Sequence, residues 1–282
     1  MRGGQPCSTH GSVRRNDLPA ADLDKSSPWP MHLFDAWPEH KCRISAAKRL
    51  ALFLDFDGTL APFRRRPEKA SLARSTRRAL ENLARHPRVQ IWIISGRRRA
   101  DIQRRVGVRE IRYLGLHGAE DGVHTVKPGS EGKHLRAARR RIAREIQDLR
   151  GIWVENKRSS FTVHYRGAST AAVRQAEVML TRILDEFLPH LRRLTGNCAW
   201  ELLPRNQCDK GVAVKRELRR MGFSPLVIYV GDDGTDELAF AALPQALTIC
   251  VAPRHITRAK FSLSSITEVR IFLGILLKEL KA

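Results

Sequence analysis

A chain of 282 residues with 42% hydrophobic content can bury a sizeable core and carry a second domain, and no apolar run approaches the roughly 20 residues needed to span a bilayer. Charge is lopsided, with 51 Lys and Arg against 29 Asp and Glu for a formal +22, yet aromatics make up only 6% and no nucleic-acid module is recognisable, which argues against a dedicated nucleic-acid binder. The five cysteines, Cys7, Cys42, Cys198, Cys208 and Cys250, are odd in number and form no CxxC pair, so a disulfide framework or zinc site is disfavoured; with no signal-peptide h-region, cytoplasm is the expected location.

In chain order, residues 1–46 are rich in Gly, Pro, Ser and Asp without sustained periodicity and read as a mostly disordered extension, although Trp29, Met31, Leu33, Phe34 and Trp37 carry enough apolar surface to dock on the core. Ala51 to Leu54 is continuously apolar, as in a central parallel strand covered on both faces, and it delivers Asp55 and Asp57 to the carboxyl end, where open α/β sheets bind ligands. Two residues apart in an extended segment, both carboxylates can face one crevice, while Gly58 lets the backbone turn N–H groups toward an anion. Two acids so placed repel unless a cation lies between them, and Mg²⁺ suits an oxygen site that must also admit phosphate. Val89 to Ile94 reads as a second strand and ends in Ser95-Gly96-Arg97. Leu226 to Val230 is a third, followed by Gly231-Asp232-Asp233-Gly234-Thr235-Asp236-Glu237 and a helix from Leu238 to Ala242. Lys210-Gly211 opens a helix patterned by Val212, Val214 and Leu218, placing an ammonium where phosphate could be held.

The stretch between Ser95 and Lys210 is too long for a simple crossover. It shows a hairpin around Asp121-Gly122, an amphipathic helix from Lys133 to Arg150, strands at Ile152–Glu155 and Phe161–Tyr165, a helix from Thr170 to Phe187, and strands near Thr195 and from Trp200 to Leu203. The fold class expected is α/β, a doubly wound parallel-sheet (Rossmann-like) core over 47–117 and 205–282, with an inserted α+β cap domain over 118–204. Helix 133–150 is read as packed on the cap sheet, with a membrane- or RNA-binding helix as the alternative.

DFDGTL, SGR, Lys-Gly and GDDGTDE, in this order, resemble the four motifs of haloacid dehalogenase-type phosphatases. Gly115-Leu116-His117-Gly118-Ala119-Glu120, Glu155-Asn156-Lys157 with Val163-His164-Tyr165-Arg166, and Glu201-Leu202-Leu203-Pro204 before Asp209-Lys210-Gly211 are together similar to the trehalose-6-phosphate phosphatase family. The resemblance implies that Asp55 is the nucleophile accepting the phosphoryl group and that Asp57 protonates the leaving sugar oxygen, then deprotonates the hydrolytic water. It implies Mg²⁺ held by Asp55, the carbonyl of Asp57 and Asp232, with Asp233 and Asp236 nearby. Phosphate would be bound by Ser95 and Lys210, with Gly58, Thr59 and Gly96 around it. The cap would close on the sugar, with Glu120, Lys157 and Glu201 as first contacts and His117, His164 and Arg166 behind them. His164 also has a plainer reading as a packed strand residue.

Departures from the family pattern stand at Leu203, where a basic residue is usual, at Arg158, where Gly is common, and at Val251-Ala252-Pro253-Arg254. These leave catalysis intact and the disaccharide open, so sucrose phosphate and glucosylglycerol phosphate stay as alternatives to trehalose 6-phosphate. The arginine clusters at 64–66, 97–99, 139–141 and 219–220 keep open a basic nucleic-acid-binding protein on a phosphatase fold, against which the joint presence of Asp55, Asp57, Ser95, Lys210 and Asp232 counts. The expected partner is a phosphorylated disaccharide handled by a monomer, with neither membrane nor nucleic acid involved.

Overall fold

The computed structural model describes residues 29–63, 70–124, 132–157, 159–196, 198–253 and 256–281. These form two compact units, one from residues 132–207 and one from the described residues on either side. The flanking unit contains β1 (Met31–His32), α1 (Trp37–Ser45), β2 (Leu50–Leu54), α2 (Arg74–Ala84), β3 (Val89–Ile94), α3 (Arg99–Val106) and β4 (Arg112–Leu114). The inserted unit follows with α4 (Lys133–Glu145), β5 (Trp153–Asn156), β6 (Phe161–His164), α5 (Thr170–Phe187), β7 (Leu191–Gly196) and β8 (Ala199–Pro204). The chain then returns through α6 (Lys210–Met221), β9 (Leu226–Gly231), α7 (Glu237–Ala242), β10 (Leu247–Val251), β11 (Phe261–Leu263) and α8 (Ile266–Lys281).

The flanking unit is a seven-stranded sheet of order β1-β11-β10-β9-β2-β3-β4, parallel at every pairing. Without the short edge strand β1, this is the doubly wound order in which the first strand is central and the connection reverses direction beside it. All five residues of β2 are buried, as a strand covered on both faces requires. Leu50, Leu52 and Leu54 pack with residues of α2, α3 and α8 in one apolar layer, while Ala51 and Phe53 join Trp92, Tyr229, α6 and α7 in the other. Phe53 stacks on Trp92, ring centroids 4.7 Å apart, which fixes β2 against β3 on that side. Since β9, β2 and β3 are neighbours, their carboxyl ends lie side by side.

The segment from Trp29 to Ala46 adds to this unit. β1 pairs with β11, Leu33 and Ile44 enter the core, and Trp37 meets Phe272 edge-on at 5.9 Å. Residues 1–28, which make up most of the expected extension, lie outside the described residues, as do Arg64 to Arg66, Arg158 and Arg254.

The inserted unit is a four-stranded antiparallel sheet, β5-β6-β8-β7, with α4 and α5 packed on one face. Leu135, Ala138 and Ile142 of α4 are buried there while Lys133, Arg136, Arg140 and Arg144 are exposed, so the amphipathic pattern is that of a helix packed on its own sheet. α4 ends at Glu145 and not at Arg150: the backbone leaves helical geometry at Ile146, φ −97° and ψ 0°, and later turns into β5 through Gly151 at φ +83°, a left-handed conformation that suits glycine. At the hairpin expected around Asp121-Gly122 the chain turns, Asp121 Oδ1 accepting from the backbone N–H of Val123 and His124, and the residues that would return, 125–131, lie outside the described residues. Among the described residues no helix is long and apolar enough to cross a membrane, and none of Cys42, Cys198, Cys208 and Cys250 is in a disulfide.

Candidate active site

Asp55, Ser95 and Asp232 each occupy the first position after one of the three neighbouring strands β2, β3 and β9. The three strand ends lie side by side and open on one crevice. Into it reaches Lys210, the first residue of α6, whose start is capped by the Asp209 carboxylate accepting from the N–H of Val212 at 3.0 Å. The ammonium is buried and donates to Asp55 Oδ1 at 2.7 Å and to Asp236 Oδ1 at 2.8 Å, with Asp233 Oδ1 4.0 Å away. Burial would drive its proton off, but Asp236 and Asp55 outweigh burial and hold Lys210 well above its ordinary value.

Asp236 organises the loop after β9. Its Oδ1 accepts from Lys210 and from the Tyr229 hydroxyl at 2.7 Å, and its Oδ2 accepts the backbone N–H groups of Asp232 and Asp233 at 3.1 and 3.2 Å. Asp233 Oδ1 in turn accepts from the N–H and hydroxyl of Thr235. Asp232 points the other way: its Oδ1 accepts from Thr59 Oγ1 at 3.2 Å, and its carboxylate fills the space where a Cβ on Gly58 would stand. Gly58, at φ +95°, is therefore required both by conformation and by this close approach.

Carboxylate oxygens of Asp55, Asp232 and Asp236 lie within 4.8 Å of one another. Burial, with the crowding of neighbouring acids, pushes Asp55 and Asp232 well above the carboxylate range against the pull of Lys210. Four acids gathered about one ammonium form a donor set that a hard divalent cation would neutralise. Asp236 already accepts four hydrogen bonds, so Asp55 and Asp232 are the side chains best able to ligate.

Asp57 has a partner that its sequence context does not announce. Arg97 donates to both of its carboxylate oxygens, Nε to Oδ2 at 2.5 Å and Nη2 to Oδ1 at 2.7 Å, and to Asp101 through Nη1 at 3.1 Å. The same Ser-Gly-Arg turn is closed by Ser95 Oγ, which accepts from the N–H of Arg97.

Of the expected sugar contacts, His117 and Glu120 belong to the sheet unit. His117 is buried in a short 3-10 turn, Leu116–Gly118, where it and Leu116 hold positive φ of 56° and 49°. That is a strained conformation for non-glycine residues, and the His117 side chain adds to the forces lowering the pKa of Asp233. Glu120 is hydrogen-bonded within its own unit, its Oε1 accepting from Arg98 and its Oε2 from the N–H of Arg99 at the start of α3.

The others lie on the inserted unit. Strand register places Glu155, Thr162 and Glu201 side by side on β5, β6 and β8, on the sheet face opposite α4 and α5. Glu201 accepts from Lys157 Nζ at 3.2 Å and from Ser160 Oγ at 2.6 Å. Glu155 is hydrogen-bonded to His164 Nε2 at 2.8 Å, and this bond outweighs burial to hold its carboxyl below the usual range. Arg166 is exposed on the turn beyond β6. Sequence reasoning did not single out Arg97, Ser160 or Tyr229, since only the strand order and loop closure show what they touch.

A doubly wound parallel sheet carrying acids at the ends of its central strands, with a separate α+β unit inserted, is the fold shared with a solved sugar phosphatase of haloacid dehalogenase subclass IIB, TM-score 0.55 at 16% identity. A solved Candida albicans trehalose-6-phosphate phosphatase C-terminal domain superposes with TM-score 0.80 at 23% identity, covering 90% of this chain and 99% of that one. The family model for trehalose-phosphatase matches residues 53–266, and the chain belongs to that family of sugar-phosphate phosphatases. It is 31% identical to "Probable trehalose-phosphate phosphatase D" of Arabidopsis thaliana over 97% of this chain and 80% of that protein. It is 37% identical to a trehalose-phosphate phosphatase of Mycobacterium bovis over 83% of this chain, spanning 63% of the mycobacterial protein.

Proposed function

We propose that this chain hydrolyses trehalose 6-phosphate to trehalose and phosphate through a phosphorylated Asp55. The observation that carries the reading is that Asp55, Ser95 and Asp232 stand at three adjacent strand ends, with the buried ammonium of Lys210 on Asp55. An Asp55 oxygen attacks phosphorus, and the sugar oxygen leaves with a proton from Asp57. Asp57 then takes a proton from the water that attacks the aspartyl phosphate, releasing inorganic phosphate and restoring Asp55. Lys210 and the Ser95 hydroxyl bind the phosphoryl oxygens, and the backbone turn at Gly58, Thr59 and Gly96 lines their approach. Arg97 holds the Asp57 carboxyl in one orientation until substrate arrives. Asp55, Asp232 and the carbonyl of Asp57 would hold Mg²⁺, with Asp233 behind them, and the cation would offset the negative charge gathered between phosphate and carboxylates. On the inserted unit Lys157, Glu201 and His164 are the proposed sugar-reading side chains, with Arg166 at their margin. His117 and Glu120 of the sheet unit are proposed as further substrate contacts. We place this activity in a monomer in the cytoplasm.

The test is phosphate release, with and without Mg²⁺, from trehalose 6-phosphate, sucrose 6-phosphate, glucosylglycerol phosphate and glucose 6-phosphate, with Asp55→Asn as control. Preference for the first, dependent on Mg²⁺ and abolished in the control, supports the reading. Preference for another glycosyl phosphate keeps the chemistry and replaces the substrate. Turnover undiminished in Asp55→Asn removes the aspartyl phosphate from the mechanism.

A further inference from the structure

We infer that Trp153 is a specificity-determining residue, a stacking platform for the second sugar ring that lets the enzyme select disaccharide phosphates over monosaccharide phosphates. The inference rests on the reading above, that the substrate is a phosphorylated disaccharide.

Trp153 is an exposed aromatic on a polar surface. It begins β5, pairs with His164 across the ladder, and shares a sheet face with Glu155, Thr162 and Glu201. Its ring lies flat on the His164 imidazole, centroids 4.1 Å apart and planes 19° from parallel. That imidazole is fixed in turn by Glu155 at 2.8 Å, so the indole rests on a support that cannot readily swing away. One face of the ring is thus taken, yet the residue keeps 47% of its surface exposed, as a ring with the opposite face open would. Strand alternation turns Val154 to the apolar cluster under the sheet and leaves Trp153 on the opposite, polar face. An open, buttressed aromatic face is what the apolar C–H face of a pyranose packs against, while polar neighbours bind the hydroxyls at the ring edge.

The neighbouring row supplies those polar groups. Thr162 is 3% exposed, and its Oγ1 has no hydrogen-bond partner among the described residues although carboxylates flank it in register on both sides. A buried hydroxyl left unpaired is costly, and a ligand hydroxyl would satisfy it. Side chains two residues apart on one strand are separated by about 7 Å, so Trp153, Glu155 and Lys157 form three steps along roughly 14 Å, the length of two linked hexose rings. Lys157 and Glu201 stand at one end of this row and Trp153 at the other. A disaccharide can span this row, and a single hexose covers only about half of it.

The experiment measures kcat/KM for trehalose 6-phosphate and for glucose 6-phosphate in the intact chain, in Trp153→Ala and in Trp153→Phe, with melting curves to show that both variants fold. The expected result is a fall of at least tenfold in the ratio of the two values for Trp153→Ala, arising from KM of the disaccharide phosphate, with most of the ratio recovered in Trp153→Phe. A ratio within twofold of the parent in Trp153→Ala, or a loss not recovered by Phe, overturns the inference and leaves the proposed function standing. A parent enzyme that does not prefer trehalose 6-phosphate over glucose 6-phosphate overturns the proposed function and this inference together.

Discussion

Gly58 and Asp101 show how single residues set the site. A Cβ on Gly58 would collide with the Asp232 carboxylate and the Phe63 ring, and its φ of +95° already disfavours any other residue. Gly58→Ala is therefore expected to displace Asp232 and lower kcat by about a hundredfold, the scale typical of misplacing a catalytic group by an ångström. A Mg²⁺ titration of activity checks this, since displacement of Asp232 also raises the concentration needed for half-maximal rate. Asp101 gathers Arg97, Arg104 and Arg105 at 3.1, 2.8 and 2.8 Å. Burial alone would raise its pKa, but the hydrogen bonds from Arg105, Arg104 and Arg97 prevail and bring it to about 2. Its folded value is thus depressed below the unfolded one, near 3.9. Its contribution to stability is complete above about pH 4 and is lost as pH falls through about 2. Asp101→Asn should cost about 1 kcal/mol at neutral pH after allowance for solvent screening. Urea melts from pH 7 downward should show the gap between parent and variant closing over that acid window, and a gap independent of pH would mean that the carboxylate charge is not what Arg97 uses.

At the scale of elements, the segment from Met31 to Ser45 earns its place by packing and not by propensity. β1 is two residues long and exists because β11 offers an open edge, while α1 buries Ile44 completely against the sheet. Ile44→Ala should destabilise the chain by about 2–5 kcal/mol, the range for truncating a buried branched side chain, as read from denaturant midpoints. A loss under 1 kcal/mol would show that this segment is only loosely seated. The same contrast explains what could be read in the sequence. β2, β3 and β9 are legible in the sequence because each is an apolar run ending in a group with chemistry, and so Asp55, Ser95, Lys210 and Asp232 can be associated from the sequence. β10 has an equally apolar sequence, Leu247 to Val251, but the residues at its end, Ala252 and Pro253, carry no group with chemistry to mark it. α2 buries Thr76, Leu80 and Leu83 at helical spacing, yet Arg74, Arg77 and Arg78 mask the period. Val212, expected on the inner face of α6, is 55% exposed, because the face that packs is set by Ala213, Val214 and Glu217. Arg97 on Asp57 and Arg98 on Glu120 were out of reach for a different reason. Both are contacts between strands or loops distant in sequence, and they follow from the strand order, which no local pattern encodes.

At the scale of the whole molecule the formal charge of +22 has two consequences of opposite sign. Several acids are already committed to arginine: Asp101 to three, Asp121 to Arg216 and Arg220, and Glu145 to Arg141 and Arg182. Exposed bases such as Lys133, Arg140 and Arg144 on α4 therefore add to a positive field that is not cancelled nearby. Such a field draws in a phosphorylated sugar, and it also makes the folded chain repel itself. Salt screens both effects, the Debye length shrinking from about 30 Å at 0.01 M to about 3 Å at 1 M. Raising ionic strength across that range with a monovalent salt should lower kcat/KM by roughly three- to tenfold through KM, while raising the melting temperature. The two responses separate the causes. Loss of activity together with a lower melting temperature would trace the salt effect to broken ion pairs such as those of Asp101 and Asp121. Loss of activity with a higher melting temperature would assign it to the long-range field, and would make the arginine excess a means of attracting an anionic substrate to an active site whose own carboxylates repel it.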